Sequence, residues 1–305
     1  MEKIVLAADL GGTNLRMAAV THEGGILHVA RTPTPDDVTP EQLLALTSTM
    51  AAECIAAIGE GGNVIGVAYA SPAPAAADGD GVLSKLPNLP SLNGMDLAAG
   101  LDRILGLPVT LENDATAAAI GEHWLGASRN TENSIVITLG TGVGGGLIID
   151  GRPFRGIDGT AGEIGHICVE PDGHPCGCGS HGCIEQYASA TALVRMANDA
   201  GLEVATARAV YDALKDGDLR AAAVFRHMGR YLGIVAAGLV NVLNPEMIVI
   251  GGGVAAGLDA FSDHIRAELN FRAFREPAAR VQIVRTQLDD MAGILGAARS
   301  ALERS

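Results

Sequence analysis

Aromatic side chains are scarce in this chain: five Phe, four Tyr and one Trp make up 3% of 305 residues. Its interior must therefore be aliphatic. Hydrophobic residues reach 48% with only 18% charged, which excludes an intrinsically disordered chain. Basic residues are also few. With 21 Lys and Arg against 35 Asp and Glu, the net charge is −14. A nucleic-acid surface needs clustered cations, so that class of partner is not expected. An anionic small substrate remains open, because a few fixed N–H groups bind phosphate locally. No run of about 18 apolar residues escapes polar interruption, so no membrane-spanning helix is expected. The opening "MEKIVLAADLGG" does not read as a secretory leader, since its apolar run is short and ends at Asp9. A cytoplasmic protein is expected. There thiols stay reduced, and clustered cysteines bind metal more often than they pair as disulfides.

What is present is an α/β pattern long enough for two domains. Strands are expected at 3–9, 15–20 and 26–31, with turns at "GGTN" and "THEGG". A helix is expected over 40–59, where Leu43, Leu46, Met50, Cys54 and Ile58 recur three or four apart and Gly59 stops it. Another strand (64–71) leads to a loop rich in Pro, Ala, Gly and Asp (71–81). "LPVTLEND" (107–114) reads as a strand running straight into a helix. The pattern then restarts: strand 134–140, glycine turn 140–146, strand 147–151. Further helices are expected near 190–200, 206–216 and 218–243, then a strand–glycine turn–helix from Glu246 onward, a strand at 280–286 and a helix at 291–303. The restart, at a separation of roughly 130 residues, implies duplicated α/β domains with a ligand cleft between them.

Three glycine turns carry the chemistry. In "DLGGTN", Asp9 ends a strand and is followed by Gly11, Gly12, Thr13 and Asn14. Glycine lets backbone N–H groups approach a phosphate, Thr13 adds a hydroxyl donor, and Asp9 suits Mg²⁺ or its water. A plain hairpin turn is the alternative. "GTGVGGG" matches the dinucleotide fingerprint at Gly140, Gly142 and Gly145, but that fingerprint requires a helix next and "LIIDG" reads as a strand. A phosphate-contacting hairpin with Thr141 as donor, beside Gly142, fits better. Gly251, Gly252 and Gly253 lie between strand and helix and either line a nucleotide site or form a tight turn. Together the three turns suggest a phosphate-donor nucleotide.

Three of the five cysteines fall within "CGCGSHGC", residues 176–183. Cys-x-Cys is tighter than the usual Cys-x₂-Cys knuckle, so spacing alone is only suggestive of a metal. Cys54 and Cys168 read as core thiols on a helix and a strand.

"DLGGTN", "LENDA", "GTGVGGG", "GEIGH" and "CGCGSHGCIEQYAS" occur in the order and spacing of the ROK family (repressors, open reading frames, kinases), and the chain resembles it from residue 3 to about 300. The resemblance implies two actin/hexokinase-like (ribonuclease H-like) domains and an ATP-dependent sugar kinase using Mg²⁺. It implies Asp114 as general base, with Asn113, Asn93, Glu163, His166 and Glu185 binding the sugar. It also implies His166, Cys176, Cys178 and Cys183, at intervals of 10, 2 and 5, as ligands of a structural Zn²⁺. The chemistry is consistent: a sugar hydroxyl must lose its proton during transfer, and a carboxylate in reach accepts it. At a helix N-terminus Asp114 is also favoured as an anion. Capping of that helix by Asn113 and Asp114 is the alternative.

The expected division is a small domain (1–115) completed by the last helix (291–305), and a large domain (116–290) carrying the zinc loop and a dimer contact. Glucose is the first substrate choice. N-acetylmannosamine, N-acetylglucosamine, fructose, mannose and allose are alternatives, polyphosphate is an alternative donor, and a homodimer or homotetramer is expected. Two departures bear on sugar preference: Ala73 replaces a glycine of the family's Pro-Gly-Pro loop, and Leu92 replaces an aromatic before Asn93. A non-catalytic sugar sensor is the second class, disfavoured by the intact Asp114 and by how soon the chain reaches Asp9, which leaves no helix-turn-helix domain expected. A zinc-binding interaction module leaves the glycine turns unused.

Overall fold

The chain runs through β1 (Glu2–Leu10), β2 (Asn14–Thr21), β3 (Ile26–Pro33), α1 (Pro40–Ile58), β4 (Gly62–Ser71), α2 (Leu97–Leu105), β5 (Val109–Asn113) and α3 (Asp114–Trp124). It continues through β6 (Ser134–Leu139), β7 (Val143–Ile149), β8 (Arg152–Pro153), α4 (Glu185–Ala188), α5 (Ala190–Asp199), α6 (Ala207–Lys215) and α7 (Leu219–Leu243). It ends with β9 (Met247–Gly251), α8 (Ser262–Arg272), α9 (Arg275–Arg280), β10 (Gln282–Arg285) and α10 (Ala292–Arg304). The structure is a computed structural model that describes every residue except 73–80, 84, 85, 87, 88 and 305. Ala73 and most of the loop read at 71–81 lie outside the described residues. Among the described residues no helix is long and apolar enough to cross a membrane.

The two sheets share one topology. The first has the order β3-β2-β1-β4-β5 and the second β10-β9-β6-β7-β8. In each, the opening strand pairs antiparallel with its hairpin partner and parallel with the later strand: β1 with β2 and β4, β6 with β7 and β9. Such a central strand is covered on both faces, which is why "IVLAA" in β1 is a continuous apolar run with every residue at most 1% exposed. Ile4, Leu6, Ala8 and Leu10 share a core with Leu43, Met50 and Cys54 of α1. Val5 and Ala7 alternate to the opposite face, and α10 packs on β1.

Two compact units result. The first comprises Met1–Arg129, Arg152–Gly162 and Asp290–Ser305, the second Asn130–Gly151 and Glu163–Asp289. The first therefore runs beyond residue 115 and takes in 152–162. The reason is packing. A Cβ on Gly296 of α10 would sit 1.7 Å from the Ala117 carbonyl oxygen, and one on Gly121 of α3 would sit 2.2 Å from that of Ala292. Glycine at both positions brings the two helix backbones into contact and keeps α3 with α10.

Local chemistry sets the boundaries. Thr39 and Gln42 form a reciprocal capping box at the start of α1, with Pro40 in its first turn, and Gly59 ends it at φ 66°. α2 was not expected from the sequence. It is capped by Asp96, closed by left-handed Gly106, and buries Leu97 and Leu101. Three expectations need correction. The glycine turn is Gly140–Gly142 only: Gly144, Gly145 and Gly146 lie within β7, opposite Thr138, Ile137 and Val136. A 3₁₀ segment, Gly253–Ala260, separates the third glycine turn from α8. Cys168 is exposed rather than a core thiol, because it sits in an isolated bridge to Cys183 rather than in a strand of either sheet; Cys54 is buried as expected.

Candidate functional site

In the first unit, the β1–β2 turn places Asp9 opposite Arg16. Arg16 Nη2 donates to Asp9 Oδ2 at 2.7 Å, and its Nη1 lies 3.0 Å from Asp290 Oδ2. Burial pushes the Asp9 carboxyl up, outweighing the pull of Arg16. The Gly11 N–H closes the turn on the Asn14 carbonyl at 2.9 Å, and Thr34 ties it from β3's end, donating from Oγ1 to Gly11 O and from N to Thr13 O. Gly12, Thr13 and Asn14 are exposed.

At the β5–α3 junction, Asn113 Oδ1 accepts from the N–H groups of Ala115 (3.1 Å) and Thr116 (3.0 Å). Asp114, the first residue of α3, is half-buried and accepts from Ala115 N at 2.7 Å. The capping role is therefore real, and it fixes the carboxylate at the positive end of the helix. The Asn113 amide NH₂ takes no part in the cap. Asn93 is exposed and accepts from Leu86 N at 2.9 Å, while Leu92 before it is fully buried.

Glu112 was given no role from sequence, yet it is 1% exposed. Arg155 binds it through Nε and Nη2 at 3.2 and 2.5 Å, and Ser300 of α10 donates at 3.1 Å. "LEND" placed this carboxylate beside Asn113, but its burial depends on two segments distant in sequence.

In the second unit, Gly140 N–H closes the β6–β7 turn on Gly142 O at 3.0 Å. Because a strand follows, this turn cannot hold a pyrophosphate as the dinucleotide fold does. Glu185, half-buried on α4, accepts from Val143 N at 3.1 Å. Gly252 (φ 79°) presses on the end of β6: a Cβ there would lie 2.5 Å from Leu139 O. Gly253 has open space around its Cα. The two glycine turns thus adjoin, and Thr141 at the tip is exposed.

The ligand atoms of His166, Cys176, Cys178 and Cys183 all lie within 4.8 Å of one another. His166 Nδ1 is 3.6 Å from Cys176 Sγ, and the Cys178 and Cys183 sulfurs are 3.7 Å apart. Zn–S bonds of about 2.3 Å in a tetrahedron give edges of roughly 3.8 Å, so the donor set fits a zinc ion. Burial pushes the Cys183 thiol up to about 12, whereas the Ser180 N–H lowers Cys178. A metal must therefore displace a tightly held proton at Cys183. Cys176 N–H to Ser180 O (2.8 Å) and Gly179 N–H to Cys176 O (3.0 Å) fold the knuckle. Gly182 permits no side chain, since its φ is 67° and a Cβ would lie 1.6 Å from Glu170 O. His166 Nε2 lies 3.9 Å from Glu163 Oε2, so its two ring nitrogens face different partners. His174 and His181 are not part of the cluster.

Two sheets of identical strand order, each opening with a hairpin whose turn is glycine-rich, define a protein of the actin/hexokinase-like class. The chain belongs to the ROK family, whose family model matches residues 5–304. It is 35% identical over 311 residues to a glucokinase of Halalkalibacterium halodurans, covering 95% of this chain and 92% of that protein. It is similar in structure to a ROK family glucokinase from Streptomyces griseus in complex with glucose and AMPPNP (TM-score 0.83, 33% identity, 97% and 98% of the two chains). It is also similar to a ROK hexokinase from Thermus thermophilus (TM-score 0.85, 32% identity, 99% and 100%).

Proposed function

We propose that the protein is an ATP-dependent glucokinase that transfers the γ-phosphoryl group of ATP to the 6-hydroxyl of glucose. The observation that carries this reading is similarity to glucokinases across the whole chain, with Asp114 held at a helix N-terminus. Asp114 accepts the proton of the attacking hydroxyl. Transfer passes through a loose transition state, so a carboxylate positioned to accept late in the step suffices. The Asn113 amide NH₂ and Asn93 donate to sugar hydroxyls. Glu163 and Glu185 accept from them, and His166 offers its Nε2 while Nδ1 faces Cys176 in the cysteine cluster.

The nucleotide phosphates are bound by backbone N–H groups of Gly12, Thr13 and Asn14 in the turn that Gly11 closes, and of Thr141, Gly142, Gly252 and Gly253. Mg²⁺ bound with the phosphates would neutralise their charge. Asp9 is the carboxylate placed to meet its water, through the Oδ1 that Arg16 does not bind. Zinc is structural: a closed Cys₃His set leaves no open position for catalysis. The enzyme acts in the cytoplasm as a homo-oligomer.

The test is ADP release from Mg²⁺–ATP across glucose, mannose, fructose, allose, N-acetylglucosamine and N-acetylmannosamine, with polyphosphate as a second donor. Highest kcat/KM with glucose is expected. Release with another sugar at tenfold higher efficiency overturns the substrate; no sugar-dependent release overturns the kinase.

A further inference from the structure

The β6–β7 turn is held almost wholly by one stretch of chain, 185–191. Ala190 N–H donates to Gly140 O at 2.8 Å, and Thr191 Oγ1 donates to Thr141 O at 2.9 Å. Gly142 O is taken by Gly140 N–H at 3.0 Å. Glu185 Oε2 accepts Val143 N–H at 3.1 Å. Every carbonyl of Gly140–Gly142 is thus satisfied from within the chain. Among the described residues, the N–H groups of Thr141 and Gly142 have no acceptor. The turn is therefore polarised: its acceptors are occupied and its leftover groups are donors, the arrangement an anion requires. Contact with Glu185 is close enough that a Cβ on Gly142 would fall 2.3 Å from Oε2.

We infer that Glu185 is a positioning residue for the phosphate turn as well as a sugar ligand, and that Glu185 and Thr191 together set the nucleotide affinity. This inference rests on the kinase reading above. One Glu185 oxygen binds the turn and the other lies on the opposite side of the carboxylate, 3.9 Å from Cys176 Sγ. The same side chain thus ties the turn to the segment that carries the sugar ligands.

The two roles separate by substitution. Glu185→Gln keeps a carbonyl oxygen for Val143 N–H but loses the charge that accepts from sugar hydroxyls. Glu185→Ala loses both. Thr191→Val removes only the hydroxyl that holds Thr141 O. Binding of a non-hydrolysable ATP analogue and of glucose is measured calorimetrically on zinc-loaded protein, with amide hydrogen exchange of the 140–147 segment alongside.

Loss of a hydrogen bond of about 1 kcal/mol predicts nucleotide affinity about fivefold weaker in Glu185→Ala and Thr191→Val, and unchanged in Glu185→Gln. Glucose affinity falls in both Glu185 variants and holds in Thr191→Val. Exchange at 140–147 quickens in Glu185→Ala and Thr191→Val only. Nucleotide affinity equal to wild type in both of those variants overturns the inference. Failure of the wild type to bind nucleotide overturns the kinase reading and this inference with it, and the exchange data then still report whether Glu185 holds the turn. Should Glu185→Ala fail to fold, Thr191→Val decides alone.

Discussion

A carboxylate that is 1% exposed carries a desolvation penalty that only close partners offset, and Glu112 has Arg155 and Ser300. Removing Arg155 strands the charge. Arg155→Met is expected to lower unfolding free energy by about 3 kcal/mol, and Glu112→Leu/Arg155→Leu to return within about 1 kcal/mol of wild type, read by urea denaturation. A cost for Arg155→Met below about 1 kcal/mol means the pair does not anchor residues 152–162. Asp9 behaves differently, since burial outweighs Arg16 and its folded pKa lies above the unfolded value. The native state then holds the proton more tightly. Stability from this group is fully present below the unfolded pKa and is lost as pH rises through the folded one. Asp9→Asn should flatten that part of the stability–pH curve, and thermal melts from pH 3 to 7 that superimpose on wild type would contradict it. The strand carrying Asp9 and the helix cap at Asn113 and Asp114 were legible because strand ends and caps are local features, whereas the base role of Asp114 came from family resemblance. Glu112 was quoted and left idle, since its burial is made by residues 43 and 188 positions away.

At the scale of elements, α3 carries Asp114 and is set by its contact with α10. Gly296→Ala inserts a methyl where the Ala117 carbonyl already lies, at a cost of about 1–3 kcal/mol. Gly238 on α7 has open space, so Gly238→Ala should stabilise by about 0.5–1 kcal/mol. Equal effects of the two in denaturant melts would show that helix contact does not distinguish them. Backbone bonds such as Val169 N–H to Gly182 O and Gly182 N–H to His174 O fold the 166–183 loop, and zinc is expected to hold the four side chains that they bring together. Chelation should remove one zinc per chain and raise the glucose KM about tenfold or more, on the scale of supporting-shell losses at metal sites. Metal-free protein with an unchanged KM would refute this role. The glycine turn was legible as a hairpin and its length was not. Three glycines in a row look like a turn, but cross-strand pairing with Val136, Ile137 and Thr138 holds them in β7. α2 went unread because its cap and closing glycine flank only nine residues.

At the scale of the whole molecule, the repeat read from two strand–glycine–strand openings became two sheets of one topology, β3-β2-β1-β4-β5 and β10-β9-β6-β7-β8. Periodicity shows which segments are strands and which turns recur. It does not show that α3 and residues 152–162 join the first unit, because that follows from the helix contact and from the ion pair at Glu112. The cysteine cluster was legible as a set only through family resemblance, and the structure brings all four ligand atoms within 4.8 Å.

In the proposed reaction Asp114 takes the proton as phosphoryl passes to glucose. Its most direct test is Asp114→Asn, with glucose binding measured by calorimetry and ADP release measured on the same preparation. Glucose affinity within about threefold of wild type, with kcat lower by about 10²–10⁴-fold, is the predicted result. Turnover at the wild-type rate would contradict the account.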